Sequence, residues 1–256
     1  MVLLSFDIEE FDMAFEYGRT ISFEDQISIS TKGTNLILDL LAKYQFKATF
    51  FCTATFAQHA PEILRRINDE GHELASHGYY HSNFIPEHLL TSRQELERLS
   101  GREIKGYRMA RMMPVDEKEI KKAGYVYNSS INPTWLPGRY NNLKVSRTYF
   151  DQEGVIQIPA SVSPMRFPLF WLSFHNLPLW LYKYLVKRTY KKDGYLNVYF
   201  HPWEFTDLHD QERFGFPGYV SRNSGVQMVT RMDNFMQWIK LNNYPTGTIS
   251  AFVSSL

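Results

Sequence analysis

The sequence predicts an α/β domain of barrel type, with a mostly parallel sheet covered by helices. Three observations carry that expectation. Short apolar runs alternate with helical patterns through the first half of the chain, the rhythm that successive βαβ units produce. Several of those runs end in a carboxylate, histidine or arginine, as parallel strands do where their carboxyl ends build a site. The 256 residues, 44% of them hydrophobic, are enough for one sizeable core, with no internal repeat or low-complexity linker to divide it.

The elements follow in order. Val2 to Phe6 is a buried strand ending in Asp7. Thr31 is placed to cap a helix that carries Leu36, Ile37, Leu40, Leu41 and Tyr44 on one face. Lys47 to Phe51 is a strand by its aromatic and β-branched content. Pro61 suits the first turn of a helix through Arg66, which stops at Gly71. His72 to Ser76 is a short strand, Thr91 to Leu99 a helix and Ile104 to Met109 a strand. Val115 to Ala123 is helical until Gly124 ends it, and Tyr125 to Asn128 is extended. Asn132 to Asn142 holds two prolines, a glycine and three asparagines and reads as a loop. Val155 to Ile158 and Leu196 to Phe200 are strands; Ser224 to Leu241 is an amphipathic helix, and Thr248 to Val253 a closing strand. One domain over residues 1–256 is the economical organisation.

Charge and cysteine usage narrow the function. With 28 basic and 27 acidic residues the net charge is +1, so nothing draws the chain globally to nucleic acid. Cys52 stands alone and cannot form an internal disulfide, which suits a reducing compartment. Met1 to Phe6 runs at once into acidic residues with no basic leader or cleavage site, so a cytoplasmic location is expected. Phe167 to Val186 is apolar and aromatic but is interrupted by Pro168, His175, Asn176, Pro178 and Lys183, which argues against a spanning helix. Packing over the sheet is the plain expectation for it. With Lys187, Arg188, Lys191 and Lys192 behind it, a peripheral membrane contact through 167–192 is the alternative.

The strand ends supply the chemistry. The first ends in Asp7-Ile-Glu9-Glu10-Phe-Asp12, the third in His77-Gly-Tyr-Tyr-His81, the fourth in Arg108 and the late strand in His201-Pro-Trp-Glu204. On a helical turn, His77 and His81 project to one side, a usable spacing for a divalent metal. Two histidines and one carboxylate make the open three-ligand site of a hydrolytic zinc. Alternation along an extended chain places Asp7 and Glu9 on one side and Glu10 opposite, which favours Glu9 as ligand and Asp7 as the base beside it. Glu10 and Asp12 are read as a solvated loop or a helix N-terminus. Arg108 is expected to hold Asp7 ionised, and His201 is either a general acid or a satisfied core histidine.

Taken in order, these residues resemble the polysaccharide deacetylases of carbohydrate esterase family four, which share the NodB-type homology domain. The resemblance runs from Ser5-Phe-Asp-Ile-Glu-Glu-Phe through Lys47-Ala-Thr-Phe-Phe, Gly71-His-Glu-Leu-Ala-Ser-His-Gly-Tyr-Tyr-His and Gly106-Tyr-Arg to His201-Pro-Trp-Glu-Phe, with Gly71 to His81 the most specific stretch. It implies a distorted (β/α) barrel, usually seven-stranded, and metal-dependent removal of acetyl groups from sugars. Carried over by position, it implies Asp7 as base, Glu9, His77 and His81 as metal ligands, Arg108 as the partner of the base and His201 as the acid. The expected cofactor is a divalent metal, zinc first, and the expected partner an acetylated saccharide, free or as a lipid- or nucleotide-linked precursor.

Three departures from that pattern stand out. Glutamate replaces an aspartate ligand at Glu9; Met109, Ala110 and Arg111 stand where a proline commonly follows the arginine; and Asn128 occupies the place of the acidic residue that usually orients the catalytic histidine. Glu204 is a candidate substitute. Tyr79, Tyr80, Trp135, Trp171 and Trp203 lie in or near the predicted loops, where aromatic faces suit sugar rings, and the oxyanion is expected near the backbone N–H of Tyr107. The rival readings are a deformylase or other C–N hydrolase on the same scaffold, and a carbohydrate-binding protein that has lost turnover.

Overall fold

The computed structural model describes residues 1–256. Strand β1 (Val2–Ile8) leads into helix α1 (Phe23–Tyr44) and strand β2 (Thr49–Cys52). Helices α2 (Ala54–His59) and α3 (Pro61–Asp69) precede β3 (Glu73–Ser76), α4 (Glu87–Ser100) precedes β4 (Gly106–Tyr107), and α5 (Glu117–Lys122) precedes β5 (Tyr127–Asn128). A hairpin of β6 (Trp135–Leu136) and β7 (Tyr140–Asn141) follows, then β8 (Phe150–Gln152) and β9 (Val155–Gln157). Helices α6 (Trp171–Asn176) and α7 (Leu179–Asp193) lead to β10 (Leu196–Phe200). Short helices α8 (Gln211–Phe214) and α9 (Gly218–Ser221), the long α10 (Val226–Leu241), β11 (Thr246–Gly247) and α11 (Ile249–Val253) complete the chain.

The main sheet runs β10-β1-β2-β3-β4-β5-β9, all parallel, with β8 antiparallel at its far edge and β11 paired to β1. Those seven parallel strands are the number the resemblance implies. The sheet curls without closing by a ladder. Instead, Ser161 donates its N–H to the Asn197 carbonyl at 2.7 Å, and the Asn197 side chain donates to the carbonyls of Ile158 and Pro159. A side-chain amide thus joins the two ends of the distorted barrel.

Period-two alternation divides the strand residues between two environments. Val2, Leu4, Phe6 and Ile8 of β1, Phe50 and Cys52 of β2, and Leu196, Val198 and Phe200 of β10 face the helical layer. There they meet Ile37, Leu38 and Leu41 of α1 and Met232, Phe235, Met236 and Ile239 of α10. Each such side chain contributes about 1.5–3 kcal/mol of burial. The alternate residues Leu3, Phe51, Ala75, Tyr127 and Ile158 fill the concave interior. Asp7, His77, Arg108 and His201 share that interior parity at the carboxyl ends.

Several expectations are corrected. Thr31 does not cap a helix: α1 begins eight residues earlier at Phe23, and the Ser22 hydroxyl accepts the Asp25 N–H. The buried face of its first half is Gln26, Ser30, Gly33 and Thr34, small and polar residues that leave no hydrophobic period to read. Thr248 to Val253 is not a strand. Thr248 caps α11, and the closing strand is Thr246–Gly247. The loop expected at Asn132 to Asn142 contains the β6–β7 hairpin, and the strand expected over Ile104 to Met109 shrinks to Gly106–Tyr107. Phe167 to Val186 forms most of α6 and α7, which bury Phe174, Tyr182 and Val186 in the core. No helix is long and apolar enough to cross a membrane.

Candidate active site

At the carboxyl end of β1, the chain leaves the sheet through Glu9. The α1 residue Ser30 donates its hydroxyl to the Glu9 carbonyl at 2.6 Å, fixing the backbone there. The β3 end continues into His77, whose N–H bonds the Cys52 carbonyl at 2.9 Å. The chain then bends at Gly78 (φ +93°), a conformation glycine tolerates without strain, and the bend returns His81 toward His77. The two imidazoles are therefore brought together by a loop bend, not by the helical turn the spacing suggests. The bend is held by the N–H groups of Ala54 and Thr55, which bond the carbonyls of Gly78 and Tyr79.

The geometry around Glu9 is specific. Its Oε1 accepts the Trp203 indole N–H at 3.2 Å. Its Oε2 lies 3.2 Å from His77 Nε2 and 3.0 Å from His81 Nε2. His77 Nδ1 faces the Arg108 carbonyl at 2.9 Å, and His81 Nδ1 faces Asp12 Oδ1 at 2.7 Å. Both Nδ1 atoms therefore carry the proton in the neutral rings, leaving two Nε2 lone pairs and one carboxylate oxygen aimed at a common point. Glu9 Oε2 is buried and has no hydrogen-bond donor of its own. The three ligand atoms lie within 4.8 Å of one another. The donor set suits a divalent cation of the zinc type. Burial opposes charge on Glu9, but His81, His77 and His201 outweigh it and hold the carboxyl well below its usual range. Burial likewise opposes the His81 imidazolium, and Glu9 and Asp12 overcome it, pushing the group up to about 9.

Beside this cluster, Asp7 Oδ1 lies 2.6 Å from Arg108 Nη1, both residues being buried. The guanidinium is further tied to Ser129 by its Nε and Nη2 and lies over the Phe51 ring at 4.0 Å. Asp7 Oδ2 is 4.0 Å from His201 Nε2. His201 stacks on Trp203, with ring centroids 4.7 Å apart, and its Nδ1 lies 3.1 Å from Glu204 Oε1. Glu204 also takes the His201 backbone N–H, as the third residue of a capping box does, in a short 3-10 turn opened by Pro202. Burial lowers the His201 imidazolium, yet Glu204, Glu9 and Asp7 together raise it above its ordinary value. These groups open onto a cleft of about 230 Å³, which Tyr17, Arg139, Tyr140, Phe170, Trp171 and Tyr219 also line.

Residues 18–127 match the family model for polysaccharide deacetylase. The chain belongs to the polysaccharide deacetylase family. It is 27% identical over 162 residues to the peptidoglycan-N-acetylmuramic acid deacetylase PdaA of Bacillus subtilis strain 168, covering 56% of this chain and 59% of that one. The matched stretch thus spans less than two thirds of PdaA. In fold it is similar to the probable polysaccharide deacetylase of Pseudomonas aeruginosa PAO1, with TM-score 0.66, 15% identity and coverage of 94% and 85% of the two chains. It is also similar in fold to BA3943, a CE4 family pseudoenzyme from Bacillus anthracis, with TM-score 0.54, 13% identity and coverage of 98% and 64%.

Within this family frame, the site residues expected from sequence fall into two groups. Asp7, Glu9, His77, His81, Arg108 and His201 come together. Glu10 does not join them: it turns to the Thr53 hydroxyl, and burial raises its carboxyl above the usual value. Of the aromatic residues, Trp203 and Trp171 line the cleft, Trp203 through its bond to Glu9. Tyr79 and Tyr80 pack together on a separate surface groove beside His88. Trp135 is 58% exposed on the hairpin, and only its neighbours Leu136 and Tyr140 reach the cleft. Tyr107 faces the helical layer, stacked near Tyr125 with its hydroxyl on Met109, because alternation around the inward Arg108 turns it outward.

Three placements overturn sequence readings. Asp12 is neither solvated nor a simple cap; it is buried and bound to His81, Ser82 and Arg111. Arg111 occupies the position of the missing proline at φ +57°, spanning Asp12 and Glu16. Asn128 is on the outward parity of β5, bonded to Gln157 and Ser130, and does not reach His201. Its expected place is filled by Glu204, whose spacing three residues after a strand-ending His201 is the legible signal for a reciprocal cap.

Proposed function

We propose that this protein is a divalent-metal-dependent hydrolase that removes the acetyl group from an N-acetylated amino sugar. The observation that carries this is Glu9 Oε2 lying between His77 Nε2 and His81 Nε2, with an Asp–Arg pair and a His–Glu pair flanking it on the cleft floor. A divalent cation held by those three atoms supplies Lewis acidity, polarising an acetyl carbonyl and making a water easier to deprotonate. Asp7 accepts the proton from the attacking water, and Arg108 keeps that carboxylate ionised and aimed. His201 delivers its proton to the amine nitrogen as the C–N bond breaks, so the products are acetate and a free amino sugar. Trp171, Tyr140 and Tyr219 at the cleft offer faces for the apolar sides of sugar rings.

The test pairs metal content with acetate release from N-acetylated amino-sugar oligomers, using wild type, His77→Ala and chelated protein. Metal near stoichiometry, with release that both treatments abolish, is the expected result. Metal without release of acetate, but with release of formate from a formylated analogue, replaces the reading with another C–N hydrolase. Saccharide binding with no metal uptake replaces it with a binding protein.

The natural substrate is a polysaccharide or its lipid- or nucleotide-linked precursor, and the outward face of α7 favours the lipid-linked form. Trp180 and Tyr184 are 71% and 50% exposed there, and Lys187, Arg188, Lys191 and Lys192 follow with no acidic residue among them. An aromatic and basic helix face suits an anionic lipid surface. Cosedimentation with phosphatidylglycerol vesicles but not phosphatidylcholine vesicles, lost in Lys187→Glu/Lys191→Glu, is the expected behaviour. Equal recovery in the supernatant with both vesicles refutes it.

A further inference from the structure

Behind the proposed acid lies a second buried histidine that the deacetylase reading does not use. Glu204 is 0% exposed, and its two oxygens face different imidazoles: Oε1 lies 3.1 Å from His201 Nδ1, and Oε2 lies 2.9 Å from His175 Nε2. His175 is itself only 1% exposed. It comes from α6, an element outside the motifs on which the family resemblance rests. A carboxylate removed from water is costly unless both oxygens are engaged. A single histidine at three residues' spacing satisfies only one of them.

We propose that His175 is a positioning residue that acts on His201 through Glu204, clamping the carboxylate so that its other oxygen meets the acid's Nδ1. The inference rests on the deacetylase reading for the role of His201 but not for the clamp itself. No protein acceptor reaches His175 Nδ1. A proton there would be buried and unpaired, so the ring is neutral and carries its proton on Nε2, facing Glu204. The surroundings agree. Trp171 presents an edge to both His175 and His201, at 5.8 and 5.5 Å between centroids. Asn223 takes only the His175 backbone carbonyl. Arg231, the nearby cation, spends its donors on the carbonyls of Phe174 and Leu177 and leaves Glu204 to the two imidazoles. Tyr182 is the remaining titratable group near the carboxylate, and its hydroxyl donates to the Leu169 carbonyl. On the other side, His201 is faced by Asp7, Glu9, Tyr199 and Trp203.

The clamp can replace the missing acidic residue at Asn128. A carboxylate three residues along the same short turn can swing or take up a proton. Held from behind by a neutral N–H donor, it stays ionised and fixed, and His201 keeps its reactive Nε2 toward Asp7 and the cleft.

The test is ring-nitrogen NMR of the full chain, zinc-loaded and metal-free, on wild type, His175→Phe and His175→Gln. In wild type, His175 should show the neutral Nε2–H form, and His201 should carry a proton on Nδ1. In His175→Phe, which keeps the bulk and removes the donor, Glu204 takes up a proton and the charged fraction of His201 at a given pH falls. His175→Gln, which keeps an N–H donor, should restore most of it. With an acetylated oligosaccharide, kcat for His175→Phe should drop on the order of 10- to 100-fold, with KM and zinc content unchanged and the alkaline limb moved to lower pH. An imidazolium or Nδ1–H form of His175 in wild type overturns the proposal without any variant. So does a folded His175→Phe whose His201 titration matches wild type. If the ring shifts appear and wild type releases no acetate, the clamp stands and the deacetylase reading falls.

Discussion

Asp12 Oδ1 lies 2.7 Å from His81 Nδ1, so the last acidic residue of the opening cluster holds a metal-ligand candidate and is not itself one. Arg111 bonds the same carboxylate from its far side at 3.3 Å and continues to Glu16 at 3.1 Å, which links the β1 and β4 ends across the mouth of the cleft. Outer partners of this kind fix the tautomer and direction of a ligating imidazole. Asp12→Ala should therefore weaken zinc affinity about 10- to 100-fold, with Asp12→Asn losing less. Competition titration with a chromogenic chelator reads this directly. Unaltered affinity in a folded Asp12→Ala would show that His81 needs no such support.

The Asp7–Arg108 pair sets a second expectation. Arg108 is fully buried, so its removal strands a buried carboxylate and two Ser129 acceptors. Arg108→Met should cost about 3–5 kcal/mol of stability, seen as a lower urea midpoint. Asp7→Asn keeps the shape and should retain zinc while acetate release falls by about 100-fold or more. Loss of zinc in Asp7→Asn would instead make Asp7 a ligand.

A close backbone approach supports the acid. A methyl group at Gly33 of α1 would lie 1.9 Å from the Pro202 carbonyl oxygen, where helix and His201 loop touch. Gly33→Ala must therefore push the loop away, at about 1–3 kcal/mol, and carry His201 with it. A lower thermal midpoint and reduced kcat with zinc content intact are expected. Wild-type turnover in this variant would uncouple α1 from the acid.

His72 makes stability depend on pH. Burial, with Lys47 nearby, lowers its imidazole to about 4, and its Nδ1 accepts the Ala48 N–H at 3.3 Å, which requires the neutral ring. Because the folded value lies below the ordinary one near 6.5, the unfolded chain binds more protons between the two. Its contribution is complete above about pH 6.5 and is lost as pH falls toward 4. Urea midpoints at pH 7 and pH 4.5 should differ more in wild type than in His72→Asn; equal differences would remove His72 as a cause.

What could be read directly from the chain was whatever depends on local period and strand ends. β1 and β10 have near-continuous apolar runs because both of their faces are buried, and Leu196 to Phe200 is found with its limits intact. The inward parity of Asp7 predicted that of Glu9. The same rule, applied around Arg108 and Tyr127, excludes Tyr107 and Asn128 from the cleft. The first half of α1 was hidden because its buried face is small and polar and packs on a loop, so no apolar stripe marks it.

The sequence by itself determined the parallel α/β architecture, the order of the motifs and the set of side chains from which the cleft floor is made, since strand period and strand-end chemistry are local properties. Only the tertiary structure decided which carboxylate does what. Glu9 meets the imidazoles, Glu10 turns to Thr53, Asp12 backs His81 and Glu204 joins His201 to His175. Those assignments depend on loops that bend at Gly78 and Pro202 and on contacts between residues far apart in the chain, and a carboxylate's role is set by which donors reach it once water is excluded.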